Sequence, residues 1–404
     1  RVIAQREATA ARAASDYLVG TFELSNPATE NPRTITALTI LGRSAERAHI
    51  ELADQPDIQV RLIATLGRAY NSLGLLNEAG QAIESSLPAI RKAGPDGAEA
   101  LAVLAATYAR QGQLDKALAT VKQAEAALGP DLKSHVPVRA QIALTEGRIQ
   151  TAASNVKAGV AAFDRALAYY RADNAPPKSI ATALNNRGLL LSDDGQFAAA
   201  EASLTQALAL YRRALGDNHL STGKTWYALA QNSFNAGKFS TAQVQIAQAL
   251  RIERLVLDPD NSILADTLSM QGQILQETGD LPAAEHALRE AIAIYRKAFG
   301  KPHYLIGIAD LYLGLTQSKR GDTKAALATL DDAKHNYDVS YGKVHANHGD
   351  LLVNRAKVLA RAGRMDEAHE DCKAGLVILG DKLGADSSYT KSMAASCAAL
   401  AKGR

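Results

Sequence analysis

The chain is short of cysteine and of aromatics. It holds two cysteines in 404 residues, and phenylalanine, tryptophan and tyrosine together make 5%. So few rings argue against a helical repeat that reads RNA, which stacks unpaired bases on aromatic side chains. Charge of one sign is missing too. Lysine and arginine number 45 against 42 acidic residues, a formal charge of +3. That balance does not mark a nucleic acid or an anionic membrane as partner. No run of eighteen apolar residues occurs, so no segment reads as a helix that spans a bilayer or inserts into one, and no signal peptide is visible. There is no Gly-rich phosphate loop, no kinase catalytic loop or metal-binding triplet, no G-x-S-x-G elbow and no His-Glu-x-x-His. A non-enzymatic chain with no catalytic residue, cofactor or metal is therefore expected.

What is present is repetition. From Ser179 to His219, apolar residues recur at helical spacing (Ile180, Leu184, Gly188, Leu191), a polar turn follows at Asp193-Asp194-Gly195, and a second helical pattern runs from Phe197 to Tyr211. The small residue of the first helix returns at Gly188, Ala230, Gly272, Gly314 and Ala356, each 42 residues after the last. The turn glycine returns at Gly195, Gly237, Gly279, Gly321 and Gly363, and the second-helix alanine at Ala200, Ala242, Ala284, Ala326 and Ala368. A fixed period of this kind marks a helical solenoid, in which hairpins that cannot bury their apolar faces alone share one core.

The spacing of Trp226, Leu229, Ala230, Gly237, Ala242, Ile246 and Ala249 resembles the tetratricopeptide repeat. The 42-residue period, with a long second helix and a loop histidine at His219, His303 and His345, is similar to the kinesin light-chain type. The resemblance implies an all-α, right-handed α-solenoid of about eight hairpins. We expect an N-terminal helical segment over 1–55, with helices at about 1–24 and 35–53. Irregular repeats should follow over 56–178, regular repeats over 179–387 and a capping helix over 388–404. Within the irregular part, Ala140, Gly147, Ala152 and Val156 are read as the small, turn, small and aliphatic positions of a degenerate repeat, which leaves a seam near Pro176.

In such arrays the first helices line a concave channel. The resemblance then implies a peptide-binding groove of Asn185, Asn186, Leu189, Lys224, Tyr227, Gln231, Phe234, Gln273, Gln276, Leu311, Tyr312, Asn354 and Lys357. It has few charges, so its partner is expected to be a partly apolar peptide or helix. A second copy of the chain, in a homodimer, is also admitted. His345, His348 and Asp350 form His-x-x-His-x-Asp, a set that can ligate zinc or nickel. The period offers a plainer reading, in which the loop histidine hydrogen-bonds backbone between repeats. Tyr211, Tyr295 and Tyr337 form a stripe that is either an outward ladder or second-helix packing. Cys372 and Cys397 are either two small core side chains or a disulfide that staples the last helix, the second needing an oxidising compartment.

Residues 16–70, with Asp16-Tyr-Leu-Val-Gly-Thr-Phe22, Ala45-Glu46-Arg47 and Leu66-Gly-Arg-Ala-Tyr70, resemble the segment that follows the membrane helix of bacterial serine/threonine kinases with a tetratricopeptide tail. That resemblance implies a sensor or docking arm on the periplasmic side of the inner membrane, cut from a longer polypeptide, since the chain opens on Arg1. The alternative is a free-standing cytoplasmic scaffold or cargo adaptor.

Overall fold

The computed structural model describes residues 37–342 and 344–402. The helix expected at 1–24 lies outside them. The described residues form an all-α chain with no strand, its nineteen helices packed in consecutive pairs as in a solenoid. The chain divides into two compact units, one ending at Leu210 and the other beginning at Tyr211.

The first unit opens with α1 (Ala37–Glu51), within the expected 35–53. Hairpins follow: α2 (Pro56–Ser72) with the short α3 (Leu76–Glu84) and α4 (Leu87–Ile90); α5 (Gly94–Arg110) with α6 (Leu114–Ala127); and α7 (Val136–Ala152) with α8 (Val156–Ala172). Helix α9 (Pro177–Asp193) pairs with the first part of α10 (Phe197–Leu215), which runs across the division. The second unit holds α11 (Leu220–Asn235) with α12 (Phe239–Val256), α13 (Ser262–Thr278) with α14 (Leu281–Phe299), and α15 (Tyr304–Lys319) with α16 (Thr323–Tyr341). It ends with α17 (Ala346–Arg361), α18 (Met365–Leu383) and the single helix α19 (Ser388–Lys402).

One contact recurs in these hairpins. The small residue of the first helix meets a large residue 16 positions later on the second. A Cβ placed on Gly188 would lie 2.6 Å from Leu204 Cγ, on Gly272 2.5 Å from Leu288 Cγ, and on Gly314 2.9 Å from Leu330 Cγ. A side chain larger than a methyl there would displace the facing leucine or force the helices apart; the same slot takes alanine at Ala230 and Ala356. Seven residues after the small residue the chain turns through the left-handed region, at Gly195 (φ 78°) and Gly279 (φ 89°) for example, where glycine alone is unstrained.

This register corrects the third repeat. Gly147 is not its turn residue: a Cβ on it would meet the Phe163 ring at 2.4 Å, so it is the close-contact residue. The turn belongs to Ser154 at φ 55°, and the second-helix small residue is Gly159. Close-contact residues therefore stand at 67, 105, 147 and 188, with separations of 38, 42 and 41. The long period starts at Ala105 rather than near 179.

The loop histidines cap helices. His219 Nδ1 accepts the Ser221 amide at 3.0 Å, His303 that of Leu305 at 3.3 Å, and His345 that of Asn347 at 3.2 Å. At the same period Asn261 accepts from the Ile263 amide at 3.0 Å, and Ser387 from the Thr390 amide at 3.1 Å. Each side chain satisfies a helix-terminal N–H that would otherwise lack a partner. His348 completes a capping box, its Nδ1 accepting the His345 amide at 3.0 Å while Nε2 lies 3.2 Å from Asp338 Oδ1. These contacts account for the His-x-x-His pair without a metal.

The two cysteines are joined. Cys372 on α18 and Cys397 on α19 have Cα atoms 5.8 Å apart and an Sγ–Sγ distance of 2.13 Å.

Two substitutions test the register. Gly272→Val drives carbon into Leu288 and should cost about 2–4 kcal/mol, whereas Ala298→Leu, exposed on α14, should stay within about 0.5 kcal/mol. Urea denaturation measures both, and equal effects would show the helix crossing to be misplaced.

Candidate functional site

In the first unit, the first helices α2, α5 and α7 lie side by side and enclose an open cleft of about 660 Å³. Ala102, Val103, Ala106 and Ala109 of α5 form its middle, with Ile149 and Ala152 of α7 beside them. Three of these four α5 residues are alanine, so short side chains form the floor. Arg68, Arg110 and Arg148 stand around this apolar floor, with Glu99 the one acid in the lining. Each guanidinium is held. Arg68 pairs with Glu99 at 2.5 Å and also donates to Thr65 Oγ1 at 3.0 Å. Arg110 donates to the carbonyl of Asn71. Arg148 Nε and Nη2 lie 3.1 and 3.3 Å from the Asn186 amide oxygen when that amide is turned to accept. Three cations against one carboxylate leave the rim net positive.

Asn186 thus adjoins this cleft through Arg148. Asn185 and Leu189 lie half-buried on the same helix, α9. The cleft itself falls in hairpins that gave no groove residue in the sequence. Small residues at positions 102, 106 and 109 were the available signal.

In the second unit, the other expected groove residues divide. Lys224 is exposed, and Gln231 and Gln273 are half-buried. Tyr227 and Phe234 pack on a core of Ala230, Ala242, Ile246, Met270 and Ile274. Leu311 is itself core, at 3% exposure. Gln276 is buried and accepts a hydrogen bond from Thr316 Oγ1 at 3.0 Å, which ties α13 to α15. Tyr312 is half-buried against the core around Leu288. Asn354 donates to Asp350 at 3.0 Å and accepts from Lys357 Nζ at 3.0 Å.

A model of the tetratricopeptide repeat matches residues 179–254 and 233–297. Residues 179–297 carry tetratricopeptide repeats. No curated protein matches it in sequence. A Rap protein complexed with competence and sporulation factor shares the fold at TM-score 0.51 and 13% identity, over 89% of this chain and all of that one. So does a signal-transduction ATPase with a tetratricopeptide repeat sensor from Pyrococcus horikoshii, at TM-score 0.55 and 14% identity, over 82% of this chain and 46% of that one. A putative kinesin light chain from Podosopora anserina aligns at TM-score 0.43 and 21% identity, over 50% of this chain and 96% of that one.

Within the tetratricopeptide array, the tyrosine stripe is packing. Tyr211, Tyr295 and Tyr337 are 6%, 2% and 1% exposed. Glu253 holds the same slot, 42 residues from Tyr211 and from Tyr295, and is 1% exposed. Neither carboxyl oxygen has a partner at hydrogen-bonding geometry, and the neighbouring Thr267 hydroxyl donates to the Ile263 carbonyl at 3.3 Å. Burial pushes the Glu253 carboxyl up to about 7; Thr267 and Lys224 act against the rise and Asp266 adds to it. Asp310, 2% exposed, is also pushed by burial to about 7, though Arg296 and the Asn336 amide (3.1 Å) favour its charge.

Both acids hold a proton more tightly folded than at their ordinary 4.5 and 3.8. The stability this gives is complete below those ordinary values and is lost as pH rises through about 7. Glu253→Gln removes one share of that loss. Its stability relative to the native chain should improve by about 1–3 kcal/mol from pH 5 to pH 8. Urea melts at both pH values read the change, and a difference that does not vary with pH would mean that Glu253 ionises freely.

Proposed function

We propose that the chain is a non-catalytic protein-binding module whose ligand, a peptide or helix, lies along the first helices and is anchored in the cleft of α2, α5 and α7. The observation that carries this reading is the alanine-rich floor of that cleft beneath a net positive rim. Small side chains leave room for a partner's apolar groups, and guanidiniums favour a carboxylate beside them. The repeat fold is consistent with protein–protein interaction. Two proteins of the same fold support the direction: one is named as a complex with a factor, the other as carrying a repeat sensor.

The resemblance of residues 16–70 to a kinase tail supports a sensor or docking arm of a membrane-anchored bacterial serine/threonine kinase, on the periplasmic side. A cytoplasmic scaffold is the other reading. Among the described residues no helix is long and apolar enough to cross a membrane.

Peptides selected from a random phage-displayed library on the 404-residue chain provide the probe. Ala106→Glu combined with Arg110→Ala should weaken a selected peptide at least about tenfold in fluorescence anisotropy, equivalent to about 1.4 kcal/mol. Unchanged affinity there, with loss in Lys224→Glu combined with Gln231→Glu, would move the site to the second unit.

A further inference from the structure

We propose that α19 is a redox-released cap: reduction of the Cys372–Cys397 bond undocks this helix from the last hairpin. The packing of α19 is thin. Of its described side chains only Thr390 is buried, and Met393, Ala394, Ser396, Cys397 and Leu400 are half-buried. Cys397 and Leu400 pack on a cluster that includes Ala356, Leu359 and Ala360 of α17 and Ala368 of α18. A further tie lies at the start of the helix, where the Tyr389 hydroxyl donates to Asp350. That carboxylate belongs to a chain of hydrogen bonds through Asn354 to Lys357 along α17. A lone helix of fifteen residues is marginal in water. Its docked state therefore leans on the covalent link, which closes a loop spanning 25 positions. Without that link the undocked chain regains its freedom, an effect of roughly two orders of magnitude in the opening equilibrium for a loop of this length.

The chemistry is thiol–disulfide exchange with a dithiol as reductant. Cys372 is 6% exposed while Cys397 is only half-buried, so the reductant's thiolate attacks the Cys397 sulfur. Cys372 leaves as a thiolate and takes a proton. The reductant's second thiol then displaces Cys397 from the mixed disulfide, which leaves two thiols on the protein and a disulfide on the reductant. Two electrons and two protons pass to the protein. The freed helix lifts Tyr389 from Asp350 and uncovers the apolar face of Leu359.

Hydrogen exchange on the full chain, with and without dithiothreitol, tests the proposal. Amides of α19 should exchange roughly 100-fold faster after reduction, and equally fast in Cys397→Ser without any reductant, while α13 to α16 keep their protection. Cys397→Ser should not respond to dithiothreitol. Equal protection of α19 in both redox states would overturn the proposal. So would two free thiols in the unreduced chain, or a loss of protection that spreads through α13 to α18, since the bond would then hold the whole unit rather than one helix.

Discussion

The structure depends on a steric constraint repeated along the chain: a glycine or alanine of one helix admits a large residue of the next, 16 positions on. Gly67 receives Ile83, Gly147 receives Phe163 and Gly188 receives Leu204. Interiors are packed close to crystal density, so a hairpin locked at this point has little freedom to slide. The lock fixes where both helix axes run, and with them which residues each hairpin leaves exposed to the next. Core clusters that join neighbouring hairpins, such as the one spanning Leu250, Leu268, Leu288 and Leu313, form because those faces are presented in the same way each time.

Loop chemistry then holds the register that packing defines. The chain must enter each first helix at a fixed angle, and one side chain at the same point of the period caps that helix. His219, Asn261, His303, His345 and Ser387 do this with three different acceptor groups. An imidazole that accepts a backbone N–H through Nδ1 commits that nitrogen, which is why the motif at His345 and His348 belongs to the helix start. Its third member, Asp350, is taken up by Asn354 and Tyr389.

The period was legible because it rests on side-chain size, which composition records directly. The third repeat was misread because Ser154 adopts the left-handed turn that glycine adopts elsewhere, so the turn was assigned to Gly147, the glycine that precedes it. Conformation of a non-glycine residue at positive φ leaves no mark in the sequence. The cleft was missed for a related reason. Slots three before and four after the close-contact residue hold Ala102 and Ala109 in the second hairpin, but Tyr227 and Phe234 in the fifth. Large aromatic residues look like ligand anchors in a sequence. In the structure they pack on Ala230, Ile246 and Met270, and it is the alanines that leave space.

The buried acid of the tyrosine slot follows from the same packing. Tyr295 fills its slot and donates its hydroxyl to Asp266 at 2.5 Å, so that ring supplies both volume and a hydrogen bond. Glu253 supplies neither in full. It is a shorter side chain, acceptor-only once ionised, set close to the Asp266 carboxylate. Helix α12 packs on α11 and α13, and α13 packs on α14, so the stack keeps a residue there that a lone hairpin would expel. A solenoid distributes such a cost over adjacent interfaces, and for that reason a weak slot can persist inside an otherwise regular stack without breaking its period.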